Sequence, residues 1–459
     1  MQKPILAKGT RDFNSVELYK RNYIINIIKD NFSKFGFNPI ETPSFERSET
    51  LLGKYGEEGE RLIFKILKSG NYLKDINSEN LEISKLTSKI VDKALRYDLT
   101  VPFARYVVQN QNDIALPFKR YQIQNVWRAD RPQRGRYREF TQCDADVIGS
   151  ESLMQEIDFI LLFENVFSDL NLIGCQIRIN SRKILAAICE IFNCNDKFSI
   201  LTNQLDKLDK LEKKQIIENL FSKGFDMNTI NSIFEIIDLS SNFEQNKDEL
   251  RSRLSASEIG LEGVDDLEFV YSYFSKNKLS KSDLILDIGL ARGIDYYTGL
   301  IFEVLPPKKV RLGSIAGGGR YDNLTEIFGL KNMSGIGISF GLDRIFLALD
   351  ELNLFPPIST SSVKLLVLNF GVDLSFDLIR IVSILRDNKI KCEFYPDSVS
   401  VKKQMNYANK NSIPYVLFYG DEEKEKNCFN LKDMNSGEQQ MLELKELIKV
   451  LKVSSETEI

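Results

Sequence analysis

The chain has 459 residues, 43% of them hydrophobic and 27% charged, enough to bury several cores and too ordered in composition for a disordered or collagen-like protein. Lysine and arginine total 61 against 65 acidic residues, a net charge of −4, so a nucleic-acid partner would have to meet a local basic patch rather than a globally basic surface. There is no histidine at all, which removes imidazole bases, Cys–His zinc sites and Ser–His or Cys–His nucleophiles and leaves chemistry to carboxylates, arginines, tyrosines and amides.

In chain order, the N-terminal residues Met1–Leu6 lack the apolar stretch of a signal peptide, and no uncharged run reaches the ~20 residues of a membrane span, so the chain is read as soluble and cytoplasmic. Six cysteines without a CxxC fit the reduced thiols of a cytosolic enzyme. Val16, Tyr19, Tyr23, Ile24, Ile27, Ile28, Phe32 and Phe35 recur at three and four, which predicts a helix over 16–35 stopped by Gly36. The proline-bearing piece 37–43 suits an edge strand or an interface. Residues 93–149 read as strands, roughly 190–280 as a helical and polar insertion, and strands resume at Leu284 before a helix over 342–352. Phe355-Pro356-Pro357 and the small polar residues to Ser362 form a linker. Beyond it come a strand (363–370), helix (374–386), strand (391–395), helix (399–409), strand (415–419), a further strand and a final helix (438–451), the alternation of a small α/β domain.

Residues 118–149 form a long hairpin around a charged loop. Period-two geometry places Gln122, Gln124, Val126 and Arg128 on one face, and on the returning strand Arg138, Phe140, Gln142, Asp144 and Asp146. Thr141, Cys143, Ala145 and Val147 face the other way and can pack on helices. Between Lys119 and Arg138 stand seven basic residues against one acid, a field suited to triphosphate or RNA phosphate, with a solvated basic hairpin as the competing reading. Alternation from Leu95 to Pro102 puts Arg96, Asp98 and Thr100 together, able to accept an ammonium group or to form a cross-strand ion pair. Gly289–Gly299 sets Arg292, Tyr296 and Tyr297 on a glycine-flanked turn. Gly335, Gly337 and Gly341 are spaced G-x-G-x-x-x-G, which is not the dinucleotide-binding fingerprint, and there is no G-x-x-x-x-G-K-[ST] loop. A glycine-rich strand leading into a helix with Arg344 in its first turn can bring a guanidinium to nucleotide phosphates.

These segments together resemble the class II aminoacyl-tRNA synthetases, and among them the histidyl-tRNA synthetase family. The helix followed by Pro43 is similar to the first motif, a dimer interface; Trp127-Arg128 through Gln142 to the second; and Gly335 through Arg344 to the third. Arg292–Gly299 and Gly318-Gly319-Arg320-Tyr321-Asp322 are similar to the two histidyl signatures. Lys8–Asp12, Lys403-Gln404 and Pro414-Tyr415-Val416 also fit, so the resemblance covers nearly the whole chain.

The resemblance implies an α+β fold: an antiparallel catalytic sheet flanked by helices (1–189 and 281–354), a helical insertion (190–280), a linker (355–362) and an α/β anticodon-binding domain (363–459). It implies a homodimer that activates L-histidine with ATP, carried with Mg²⁺, and transfers it to the 3′ end of tRNA(His). Asp98, Thr100 and Gln142 would hold the ammonium group; Asp146, Tyr297, Tyr296 and Tyr321 would read the imidazole. Arg128, Arg292 and Arg344 would stabilise the phosphates, Arg136 would join them at ATP, and Arg131, Gln133 and Arg134 would meet the tRNA acceptor end. Many relatives carry histidine in the second-motif loop, where this chain has Ala129 and Thr141, so a mechanism relying on a loop histidine fails here. The rival reading is a non-catalytic paralogue that regulates histidine biosynthesis. Such paralogues typically lack the anticodon domain and lose signature residues, whereas residues 363–459, Arg128, Arg292 and Arg344 are all present.

Overall fold

A computed structural model describes residues 3–52, 61–72, 83–209, 211–291, 296–357 and 363–456. The first long helix, Ser15–Lys34, begins at Asn14, whose side chain accepts the Glu17 N–H while Glu17 accepts that of Asn14, a reciprocal cap. It ends where Gly36 adopts φ +79°, and its buried Ile24, Ile28 and Phe32 face a sheet.

The strands of the first unit, Met1–Phe355, are β1 (Asn38–Pro39), β2 (Phe45–Arg47), β3 (Lys65–Leu67), β4 (Val91–Leu95), β5 (Phe118–Trp127), β6 (Glu139–Ile148), β7 (Cys175–Ser181), β8 (Ser282–Leu286), β9 (Leu300–Leu305), β10 (Ala316–Tyr321) and β11 (Gly335–Gly341). Eight of them form one sheet in the order β1-β5-β6-β11-β10-β9-β7-β8, antiparallel except at its two edges, where β1 runs parallel to β5 and β8 to β7. Pro39 sits on the edge strand, where its missing N–H costs no ladder bond. A small sheet, β2-β4-β3, lies apart.

The alternation of the β5–β6 hairpin sorts the chain into two chemistries. Cys143, Ala145 and Val147 point into a continuous core with Ile24, Ile28 and Phe32 of the first helix, Phe159 and Phe163 of the helix Met154–Asp169, and Ile345 of the helix Leu342–Glu351. The polar set occupies the opposite face. Between β7 and β8 the chain makes the helices Arg182–Ile191, Phe198–Leu205, Lys213–Ser222, Met227–Ile237, Phe243–Arg253 and Glu258–Lys276.

One expected stretch of strand is a helix. Residues 100–109 form Thr100–Gln109 because the Asp98 carboxylate takes the Val101 N–H, starting a turn, and Pro102 is tolerated in the first turn. Val101, Phe103, Ala104 and Val107 then repeat at helical spacing and are buried. The predicted strand face Arg96–Asp98–Thr100 is therefore not a strand face: Asp98 and Thr100 still line one cavity, from a turn and the start of a helix, without Arg96. Arg96 turns inward, donating to the carbonyls of Asn125, Thr42 and Pro43 and pinning the segment after β1 to the hairpin.

The second unit, Pro356–Ile459, holds β12 (Leu365–Val367), β13 (Cys392–Phe394), β14 (Tyr415–Phe418), β15 (Phe429–Asp433) and β16 (Gln439–Leu442) in the order β13-β12-β14-β15-β16, with its own apolar clusters. The final helix starts at Leu444 rather than 438. Residues 439–442 pair with β15 instead, after a turn in which Gly437 takes φ +79° and Asp433 accepts the N–H groups of Asn435 and Ser436.

Candidate active site

The polar face of the hairpin floors a cavity of about 970 Å³. Its wall includes Asp98, Thr100, Arg128, Gln133, Arg134, Arg136, Gln142, Asp146, Tyr296, Tyr297, Tyr321 and Arg344, so the structure brings together nearly every residue singled out from the sequence. Arg131 is exposed and does not line the cavity. Arg292 lies outside the described residues.

At one end, Asp146 is 1% exposed: its Oδ1 accepts the Tyr321 hydroxyl at 2.8 Å, and its Oδ2 forms an ion pair with Arg120 Nη2 at 2.7 Å. Its cationic neighbour is thus Arg120, directly opposite on β5, and not Arg138, which donates to the Asp130 carbonyl. Tyr321 and Asp146 come from β10 and β6, with β11 between them. They can meet only because β11 is glycine there. A Cβ on Gly337 would collide with the Asp146 carboxylate and one on Gly335 with the Tyr321 ring. Tyr296 packs edge-on against Tyr297 and Tyr321, and its hydroxyl reaches Asp98 Oδ2 at 3.5 Å.

Burial pushes the Asp146 carboxyl above the usual range, opposed by Arg120 and by the Tyr321 hydrogen bond. The same burial, with Asp146 beside it, lifts the Tyr321 hydroxyl. Asp144, 2% exposed, is raised to about 7 by burial despite Arg120. Gln142 Nε2 donates to Ser339 Oγ at 3.1 Å and more weakly to Asp144 Oδ1 at 3.5 Å.

At the other end, Arg128 donates Nε to the Tyr97 carbonyl at 3.0 Å and stacks on the Tyr97 and Phe140 rings at 4.2 and 5.2 Å, while its Nη groups have no hydrogen-bond partner among the described residues. Arg344 donates to Ser314 O at 2.5 Å and to Gly135 O at 3.4 Å, tying its helix to the tip of the hairpin loop. That helix is itself anchored by Asp343, which pairs with Arg21 at 2.5 Å and Arg11 at 3.1 Å. Arg136 lies 3.8 Å from Asp130, and Arg134 pairs with Glu351 at the surface. Cationic nitrogens at one end and buried carboxylates at the other make a site for a zwitterion beside a polyphosphate.

A family model described as histidyl-tRNA synthetase matches residues 9–345, and one described as an anticodon binding domain matches residues 364–454. The chain belongs to the histidyl-tRNA synthetase family. Relatives named histidine–tRNA ligase are 54% identical in Christiangramia forsetii, over 98% of this chain and all of that one, and 50% identical in Flavobacterium johnsoniae, over 98% and 99%. Among solved structures, a histidyl-tRNA synthetase from Nostoc sp. PCC 7120 superposes with a TM-score of 0.79 at 26% identity, covering 99% of this chain and 100% of that one. An ATP phosphoribosyltransferase regulatory subunit/histidyl-tRNA synthetase from Bacillus halodurans, at 19% identity and a TM-score of 0.68 over 89% and 97%, shares the fold alone.

Against this family frame, sequence reasoning missed Arg120, Ser339 and the arginines on Asp343. Arg120 had a signal, since the alternation Gln124, Gln122 continues to it two residues earlier. Ser339 and the Asp343 cluster depend on pairing across more than 190 residues of chain and have no local signature.

Proposed function

We propose that the chain is a histidine–tRNA ligase. The observation that carries this reading is the convergence on one cavity of Asp98, Arg128, Gln142, Asp146, Tyr297, Tyr321 and Arg344, in a chain alike over its full length to relatives bearing that name. In this reading the carboxylate oxygen of L-histidine attacks the α-phosphorus of ATP and pyrophosphate leaves. A hydroxyl of the terminal ribose of tRNA(His) then attacks the histidyl carbonyl and AMP leaves. Asp98, Thr100 and Gln142 hold the ammonium group. Asp146, beside Arg120, accepts an imidazole N–H, while Tyr296, Tyr297 and Tyr321 shape the ring pocket.

Arg128 stabilises the α-phosphate, where negative charge shifts as the P–O bond breaks; its Nη groups carry no competing protein partner among the described residues. Arg344 and Arg136 serve the distal phosphates, and Mg²⁺ arrives with ATP. Arg292 is assigned to the α-phosphate by resemblance. Arg131, Gln133 and Arg134, at the hairpin tip, are assigned to the acceptor end of tRNA, and the anticodon-binding unit to its other arm. A cytoplasmic homodimer completes the proposal. The regulatory paralogue is disfavoured by the match over residues 364–454 and by the retained Arg128 and Arg344.

Incubation with ATP, Mg²⁺, labelled histidine and tRNA tests the reading. Label should pass to tRNA, and Arg128→Ala should slow adenylate formation by about 10²–10³-fold. Failure of the wild-type chain to charge tRNA would refute it.

A further inference from the structure

The carboxylate between Gln142 and Asp146 has no role in the scheme above. Asp144 lies on β6 opposite Gln122 of β5 and Ser339 of β11, and lines the cavity although almost wholly enclosed. Unlike Asp146 it has no ion pair among the described residues, where its contacts are the weak donation from Gln142 Nε2 and a hydrogen bond with Ser339. Gln142 spends its amide N–H groups on Ser339 and Asp144, which leaves its Oε1 buried with no donor among the described residues.

Two adjacent acceptors enclosed together and short of donors are costly in the free protein and favourable around a group that has N–H to give. An alkylammonium brings three donors and a positive charge, and no acceptor that would compete. Among the described residues the charged groups that bear on Asp144 are Arg120 from β5, Asp146 from β6, Asp98 from the turn before the helix Thr100–Gln109, and Arg96, which donates to backbone carbonyls and to the Gln124 side chain. Arg120 is held by Asp146, so the cluster as a whole favours a cation.

We infer that Asp144 is a further substrate-binding residue, which with Gln142 Oε1 and Asp98 holds the α-ammonium of the amino acid. This rests on the ligase reading and adds to it a second anionic partner for the ammonium. Since burial raises the Asp144 carboxyl to about 7, it is only partly ionised in the free protein at neutral pH, and an ammonium placed against it would drive its proton off. The chain has no histidine of its own to confuse that signal.

The test is calorimetric binding of L-histidine to the full chain at pH 7 in two buffers of different ionisation enthalpy, alongside histidine-dependent ATP–pyrophosphate exchange. Asp144→Asn should weaken histidine binding by about 10- to 100-fold and leave the KM for ATP unchanged. It should also release fewer protons on binding than the wild type, a readout that a purely structural role would not move. Imidazole-4-propionate, which lacks the amino group, should bind wild type and variant equally. If the asparagine variant does not fold, Asp144→Ser, which keeps an acceptor without the charge, should give the same pattern. Equal proton release, or equal losses for histidine and the des-amino compound, would overturn the inference while leaving wild-type exchange intact. Absence of exchange by the wild type would overturn the ligase reading and this inference with it.

Discussion

Two buried arginines of the same eight-stranded sheet each pair with a carboxylate and differ in what they leave unfinished. Arg320 on β10 spends every donor it has: Nε and Nη2 on Glu156 at 2.6 and 2.8 Å, Nη1 on Ser150 O and Ser334 Oγ, and Nη2 also on Ser152 O. Nothing in that network asks for a ligand, and its work is to clamp β10 to the helix Met154–Asp169. Arg120 on β5, also buried, leaves its Nε without a hydrogen-bond partner among the described residues; it bears on Asp144, whose pKa is elevated, and further along the same face of β6 Gln142 has a carbonyl oxygen with no donor among those residues. The same residue types therefore build the fold where the hydrogen-bond account closes, and a binding site where it stays open until substrate arrives.

The largest effect should come from breaking the closed network. Glu156→Gln strands the Arg320 charge in a dry interior and should cost about 3–5 kcal/mol, seen as a marked fall in Tm. Molecules that remain folded should exchange pyrophosphate at the wild-type rate. Loss of activity without loss of stability would place the pair in the chemistry after all.

Asp146→Asn should have a mixed outcome, because this carboxylate belongs both to a pair and to the site. The KM for histidine should rise about 10- to 100-fold through loss of a charged acceptor, with little change for ATP, and Tm should fall because Arg120 loses its counter-charge. Equal losses for histidine and ATP would make Asp146 a residue of the fold alone.

Asp144→Asn should have the smallest effect on stability and the opposite sign. The native carboxyl binds its proton up to about pH 7, whereas in the unfolded chain it releases it near the ordinary value of ~4. Its contribution to stability is therefore fully present below pH ~4 and is lost as pH rises through about 7. A neutral isostere escapes that loss, so the variant should gain in Tm relative to wild type as pH goes from 5 to 8 in melts run side by side. A variant that loses stability across the whole range would mean that Asp144 is ionised and paired in the free protein.

Much of this was legible in the sequence, for reasons that vary from residue to residue. The hairpin faces follow from a strict period of two, which is why Gln142, Asp144 and Asp146 could be placed on one surface before any coordinates. The helix Thr100–Gln109 was hidden because its start is set by a side-chain cap at Asp98 that mimics strand alternation over the preceding residues. The Asp146–Tyr321 contact was out of reach for another reason. It requires two glycines on the strand between, a coincidence of three segments of which the two in contact are 175 positions apart. Arg320, within a glycine-rich signature, looked no different from Arg344, and only the folded structure, which buries Arg320 against Glu156 and sets Arg344 in the cavity wall, separates the two.

The most direct test of the account is ATP–pyrophosphate exchange by the intact chain against each of the twenty amino acids, without tRNA. The cavity around Gln142, Asp144 and Asp146, with Asp98 in its wall and Tyr321 at its far end, predicts exchange with histidine and background rates with the rest. Exchange driven by a different amino acid, or by none, would contradict it.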